Sequence, residues 1–234
     1  MRSIHDNLQA VRQRIDAAAK AAGRDPREVT LLAVSKTQPA AAVGEALAAG
    51  QRAFGENYVQ EALEKMEAVK GARISPEWHL IGPLQSNKTR LAAERFDWVQ
   101  SVQSEKIARR LSDQRPPSLA PLNVLIQVNV SGEESKSGVS HREVFAIAKA
   151  ASAMPRLRLR GVMAIPEPGA ERARYRELKA LFEKLKAEFR FDTLSVGMSD
   201  DLEMAIAEGA TMVRIGTAIF GARAKARPAV RLPA

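Results

Sequence analysis

Three short stretches hold residue types that could share one reaction. Lys36 follows the apolar run Val29-Thr-Leu-Leu-Ala-Val34. Apolar walls around an amine disfavour its charged form, which lowers its pKa and leaves a nucleophile able to form a Schiff base. Position alone also fits a lysine that snorkels or pairs with a carboxylate at a strand end, and that is the commoner case. Ser199 follows the glycine turn of Ser195-Val-Gly-Met-Ser199-Asp-Asp and stands where an N-cap belongs. Amides at a helix start, with a hydroxyl, make an anion cradle, although a plain cap is the simpler reading. In Val213-Arg-Ile-Gly-Thr-Ala-Ile-Phe-Gly221, Gly216 permits close backbone approach, Thr217 adds a hydroxyl and Arg214 a fixed positive charge.

For these stretches to meet, the elements before them must end on one face. Ile4, Leu8, Val11 and Ile15 recur at helical spacing, so residues 3–22 read as a helix stopped by Gly23. Eight β-rich runs then alternate with helical patterns: Val29–Val34, Arg52–Phe54, Trp78–Ile81, Trp98–Ser101, Leu122–Asn129, Leu159–Met163, Leu194–Val196 and Met212–Ile215. The helices between and after them are expected through Leu47 and over 57–69, 88–94, 104–112, 141–153, 170–189 and 201–208. Strict β/α alternation with eight units predicts an α/β protein with a (β/α)8 TIM-type barrel, an open doubly wound sheet being the alternative. In such a barrel the site lies at the C-terminal ends of the strands. That rim would carry Lys36, Glu56 and Asn57, His79 with Gln85, Ser86 and Asn87, Gln103, Asn129 with Ser131, Met163, Gly197, Met198 and Ser199, and Arg214 with Gly216 and Thr217. Phosphate binding after strands seven and eight is a recurrent barrel feature. A Schiff-base lysine after strand one, with a phosphate cup after strands seven and eight, points to pyridoxal phosphate.

Composition narrows the other classes. The chain has 234 residues, no Cys and only three His, so thiolate metal sites, disulfides and cysteine nucleophiles are excluded and a multi-His metal site is not expected. No apolar run of about 18 residues occurs, so no membrane span is expected. The polar amphipathic start, MRSIHDNLQAVRQRI, lacks the apolar core of a signal peptide, which makes the cytoplasm the expected location. The net charge of +9 raises nucleic-acid binding. From Gly209 onward, however, there are five bases (Arg214, Arg223, Lys225, Arg227 and Arg231) and no acids, leaving +4 on residues 1–208 and no nucleic-acid motif. The expected organisation is a barrel with its N-terminal helix over 1–221 and a basic tail over 222–234.

Leu31-Leu-Ala-Val-Ser-Lys36-Thr, Phe54-Gly-Glu-Asn57-Tyr, Trp78-His-Leu-Ile-Gly82, Gln85-Ser-Asn-Lys88, Gly161-Val-Met-Ala164, Ser195-Val-Gly-Met-Ser199-Asp and Val213-Arg-Ile-Gly-Thr217 occur in that order. Together they resemble the pyridoxal-phosphate homeostasis protein family, also described as the proline synthetase co-transcribed homologue, over nearly the whole chain. The resemblance implies a barrel like the N-terminal domain of alanine racemase and an internal aldimine on Lys36. It also implies phosphate contacts from Ser199, Gly216 and Thr217, Arg214 facing the pyridine nitrogen, and Asn57 and Met163 near the ring.

An arginine cannot protonate that nitrogen as a carboxylate can, which weakens the electron sink. Racemases draw a second acid/base from an additional β-rich domain, and the 13 residues after Gly221 are too few for one. The expectation is therefore a monomeric cofactor-binding protein without strong turnover, with pyridoxal-phosphate enzymes as conceivable clients; a weak racemase or another Schiff-base barrel enzyme is the alternative. His79 is expected to be buried and satisfied by a backbone carbonyl rather than to touch the ring. Glu56 is expected to cap the helix starting at Asn57 rather than to pair with Lys36. Lys136-Ser-Gly138 reads as a solvated loop outside the site, and Met154, Met163, Met198, Met204 and Met212 mostly as core filling.

Overall fold

Short apolar runs that cannot satisfy their backbone groups alone pair edge to edge until the sheet closes. The computed structural model describes residues 3–131 and 137–221, so the expected tail over 222–234 and the loop residue Lys136 lie outside the described residues. The strands are β1 (Thr30–Val34), β2 (Ala53–Glu56), β3 (Glu77–Leu80), β4 (Trp98–Val102), β5 (Leu122–Val128), β6 (Leu157–Ala164), β7 (Thr193–Ser195) and β8 (Met212–Ile215). Each pairs in parallel with the next, and β8 returns to β1 with Leu32 opposite Arg214 and Ala33 opposite Ile215. The result is a closed eight-stranded (β/α)8 barrel.

Parallel neighbours need crossovers, which the helices provide. They are α1 (Ile4–Ala21), α2 (Ala40–Ala48), α3 (Val59–Ala68), α4 (Thr89–Arg95), α5 (Glu105–Gln114), α6 (His141–Ser152), α7 (Arg172–Phe189), α8 (Leu202–Ala207) and the one-turn α9 (Thr217–Phe220). Local chemistry fixes several starts. Ser3 and Asp6 form a reciprocal capping box on α1, Ser140 and Glu143 do so on α6, and the Ser104 hydroxyl accepts from the Ile107 amide at α5. The expected boundaries hold to about two residues. Strand β6 begins at Leu157, earlier than the apolar run, because Leu157 pairs with Leu122 and a bulge near Arg160 restores the register. Helix α3 begins at Val59, after Tyr58, and not at Asn57.

Alternation sorts the strand residues. Ala33, Phe54, Val99, Val124 and Ile126 join helix residues such as Leu8, Val43, Leu111 and Leu178 in the core between barrel and helices. Inside the barrel, Leu32, Val34, Ala53, Ile81 and Met212 form one apolar group and Trp98, Leu125 and Met163 another. Full burial of each large apolar side chain stabilises by about 1.5–3 kcal/mol, so the outer core carries most of the fold. The N-terminal helix locks the closure. Asn7 Nδ2 donates to the Ile219 carbonyl of α9 at 2.8 Å, and Arg14 Nη2 donates to the Ser199 carbonyl at 3.1 Å while pairing with Glu203. Among the described residues, no helix is long and apolar enough to cross a membrane.

Candidate functional site

The segments after β1, β2, β7 and β8 converge on a cavity of about 430 Å³ at the C-terminal mouth of the barrel. Its wall includes Lys36, Asn57, Ser199, Arg214, Gly216 and Thr217. Met163, expected near the same space, is fully buried between Trp98 and Leu125 and is not among the lining residues. Gln127, Ser137 and Ile165 line it instead, so part of the segment read as a solvated loop faces the cavity; Met198 lies in the wall as its rim position implied and is exposed there rather than filling the core. Gln127 and Ile165 were not legible because the rim was read from the polar residues that follow each run, and Ser137 because it sits on a loop whose path the sequence does not fix.

The lysine side is built from buried charge. Ser35 is inaccessible, and its hydroxyl donates to Glu56 Oε1 at 2.6 Å. Lys65 of α3, also buried, donates to the Ser35 carbonyl at 2.7 Å, Glu56 Oε1 at 2.8 Å and Glu61 Oε1 at 2.6 Å. Glu61 Oε1 in turn accepts from the Thr37 amide at 2.5 Å. Glu56 therefore does not cap α3, contrary to expectation, and its partners are Ser35 and Lys65; it points between barrel and helix, and its Oε2 is buried without a hydrogen-bond partner. Burial pushes the Glu56 carboxyl above its usual range, against the pull of Lys65 and Ser35. Thr37 sits at φ 62°, a left-handed conformation that costs a β-branched residue about 1–2 kcal/mol. At the neighbouring strand end, Gly82 approaches Asn57 so closely that a Cβ would fall 2.2 Å from the Asn57 carbonyl oxygen.

The opposite side is built from backbone. Gly197 turns the chain at φ +101°, where a Cβ would lie 2.5 Å from Ala205 Cβ. The Arg214 amide donates to the Gly197 carbonyl at 2.9 Å. Ser199 is not the cap of α8: that position belongs to Asp201, whose Oδ1 accepts from the Met198 amide and whose Oδ2 accepts from the Tyr175 hydroxyl. Ser199 is left in the cavity wall. Burial first, then Asp201, pushes the Tyr175 hydroxyl above its ordinary range. Gly216 precedes the single turn of α9, the kind of short extra helix that borders barrel phosphate sites.

Arg214 crosses between the rim and the barrel floor. Its Nη1 donates to the Ser195 carbonyl at 2.8 Å and to Ser195 Oγ at 2.9 Å, and its Nη2 donates to the Ala164 carbonyl at 2.8 Å. Burial lowers its pKa to about 10, with Asp201 and Tyr175 opposing, so it remains a cation at neutral pH. Below it, Ser195 Oγ donates to Gln100 Oε1 at 2.8 Å, Gln100 Nε2 approaches His79 Nδ1 at 2.9 Å, and His79 Nε2 approaches Glu77 at 2.8 Å. These contacts assign the proton of His79 to Nε2. His79 is buried, as expected, but satisfied by side chains and stacked on Trp98 rather than held by a carbonyl. Among the described residues, no group of three metal-ligating side chains could hold a metal ion.

A closed parallel barrel with a lysine after its first strand, and hydroxyl and glycine backbone groups after its last two, defines a (β/α)8 barrel with one polar cavity at its C-terminal mouth. The family model for the alanine racemase N-terminal domain matches residues 7–224. Pyridoxal phosphate homeostasis proteins of Pseudomonas aeruginosa and Escherichia coli are 59% and 56% identical, over 98% and 95% of this chain and 100% and 98% of theirs. PipY of Synechococcus elongatus, solved with PLP bound, superposes with a TM-score of 0.82 at 36% identity, covering 94% of this chain and all of that one. An alanine racemase from Corynebacterium glutamicum shares the fold at 21% identity and a TM-score of 0.64, with 61% of its length covered. The chain belongs to the pyridoxal phosphate homeostasis proteins of the alanine racemase N-terminal domain family.

Proposed function

We propose that this protein binds pyridoxal 5'-phosphate through Lys36 and serves intracellular vitamin B6 and amino-acid homeostasis rather than strong turnover. The observation that carries the reading is the single cavity shared by a lysine, two hydroxyls, a glycine backbone and a buried guanidinium. The donor set fits the cofactor: one amine for an aldehyde, small hydroxyl and amide donors for a phosphate dianion, and a cation at the barrel axis. When bound, the cofactor supplies an aldehyde that condenses with a primary amine and a ring that can draw electrons from it. Lys36 supplies the amine. Ser199, Gly216 and Thr217 hold the phosphate and Asn57 borders the ring, all four lying in the cavity wall.

Arg214 faces the pyridine nitrogen. Being a donor only, it leaves that nitrogen without a proton and the electron sink weak. The titratable residues in the described cavity wall are Lys36, Asp200 and Arg214. Asp200 is exposed beside Ser199 at the phosphate end, which leaves no second base opposite the lysine among those residues. This favours a cofactor holder over a racemase. We assign this role to a monomer in the cytoplasm, with pyridoxal-phosphate enzymes as recipients or competitors.

The test is a visible spectrum after incubation with pyridoxal phosphate, followed by borohydride reduction and peptide mapping. The expected result is one reduced adduct on Lys36, lost in Lys36→Ala. A colourless wild type, or an adduct on another lysine with Lys36 untouched, would overturn the reading.

A further inference from the structure

We propose that Lys65, Glu61 and Glu56 form a clamp that positions Lys36, so that the lysine's reactivity depends on residues that line no part of the cavity. The inference rests on Lys36 being the residue that meets the aldehyde. Both neighbours of Lys36 are gripped by this cluster through atoms that set the backbone path. The Ser35 carbonyl is taken by Lys65 Nζ at 2.7 Å, the Ser35 hydroxyl by Glu56 at 2.6 Å, and the Thr37 amide by Glu61 at 2.5 Å. Lys65 joins the two carboxylates at 2.8 and 2.6 Å, making one connected unit of the strand end, the turn and α3.

The turn has a reason to need holding, since Thr37 is left-handed with a β-branched side chain. Released from Glu61, it would relax toward ordinary dihedrals and swing the Lys36 side chain away from the cup. Glu61 and Lys65 stand four apart on one face of α3, where such a pair belongs. A helix merely docked on a barrel needs apolar packing, which Val59 and Ala62 already provide. An ammonium and a carboxylate aimed at the backbone on either side of one residue, with a second carboxylate on the adjacent hydroxyl, serve that residue.

A clamp on the amine and a cup for the phosphate separate experimentally. Glu61→Ala and Glu61→Gln are purified without cofactor, and adduct formation is titrated with pyridoxal phosphate and with pyridoxal, which lacks the phosphate. Glu61→Ala should weaken adduct formation about tenfold with both aldehydes, as loss of a charge-assisted hydrogen bond predicts. Glu61→Gln, which keeps an acceptor for the Thr37 amide, should restore most of it. Thr217→Val should weaken only the phosphate-bearing aldehyde. Melting of the cofactor-free variants separates loss of fold from loss of position, and a partly folded Glu61→Ala is replaced by Glu61→Ser. Wild-type behaviour of Glu61→Ala toward pyridoxal, or equal loss in Glu61→Gln and Glu61→Ala, would overturn the clamp. Absence of any Lys36 adduct in the wild type would instead overturn the reading beneath it.

Discussion

The two sides of the cavity solve the same problem by different means. On the β1–β2 side, Lys36 is placed by charged side chains reaching across from α3, Lys65 buried and Glu61 half-buried. On the β7–β8 side, Ser199, Gly216 and Thr217 are placed by glycine turns, a short helix and backbone hydrogen bonds. A covalent partner must sit at one point with one orientation, whereas an anion is content with several donors within hydrogen-bond reach. The difference shows where each side should be fragile. The lysine side fails when a charge loses its partner, and the anion side when a Cβ appears where none fits.

The contrast can be broken most severely at Lys65. Lys65→Met leaves Glu56 buried without its cation and should cost about 3–5 kcal/mol in urea denaturation, with Glu56→Leu in the same chain recovering part of it. If Lys65→Met alone leaves stability unchanged, the lysine side is not held by charge. A smaller effect is expected from Gly197→Ala, whose methyl meets Ala205 in a backbone conformation that side chains rarely adopt. About 2 kcal/mol of stability should go, and phosphate affinity should fall more than reactivity toward pyridoxal.

The smallest effect concerns the floor beneath Arg214. Burial holds the His79 imidazole below its ordinary value, so on acidification the unfolded chain takes up a proton that the folded chain refuses. Stability should therefore fall as pH drops below about 6.5, by up to about 1.4 kcal/mol per pH unit until the folded imidazole titrates. The raised Glu56 carboxyl acts in the opposite sense, because there the folded chain takes up the proton first. Comparing wild type with His79→Gln at pH about 7.5 and about 5.5 isolates the imidazole, and equal pH slopes in the two chains would remove it as the cause.

The same contrast explains what was legible in the sequence. Runs such as Leu122–Val128 announce buried strands because both faces must be apolar, and the alternation of runs with helical periods left one architecture. Lys36, Ser199 and Gly216-Thr217 were legible because rim positions are the first few residues after such a run. The clamp was not found: Glu56 and Lys65 are nine residues apart across a strand-to-helix junction, a spacing with no period to mark it. His79 was correctly buried, but its partner Gln100 on β4 depends on strand register, which no local pattern states. Ser199 lost its expected capping role to Asp201 because the glycine turn is two residues longer than the motif implied.

Closure of the sheet by β1 and β8 has a consequence for when the cavity comes into being. Leu32 lies opposite Arg214, so the strand that delivers Lys36 and the strand that delivers Gly216 and Thr217 are neighbours in space although they are the first and last of eight. The two halves of the cavity face each other only once the last strand has docked on the first. Occupancy is thus a sensor of completed folding. A ligand present at about a hundredfold excess over its dissociation constant would deepen the native basin by about 2.7 kcal/mol.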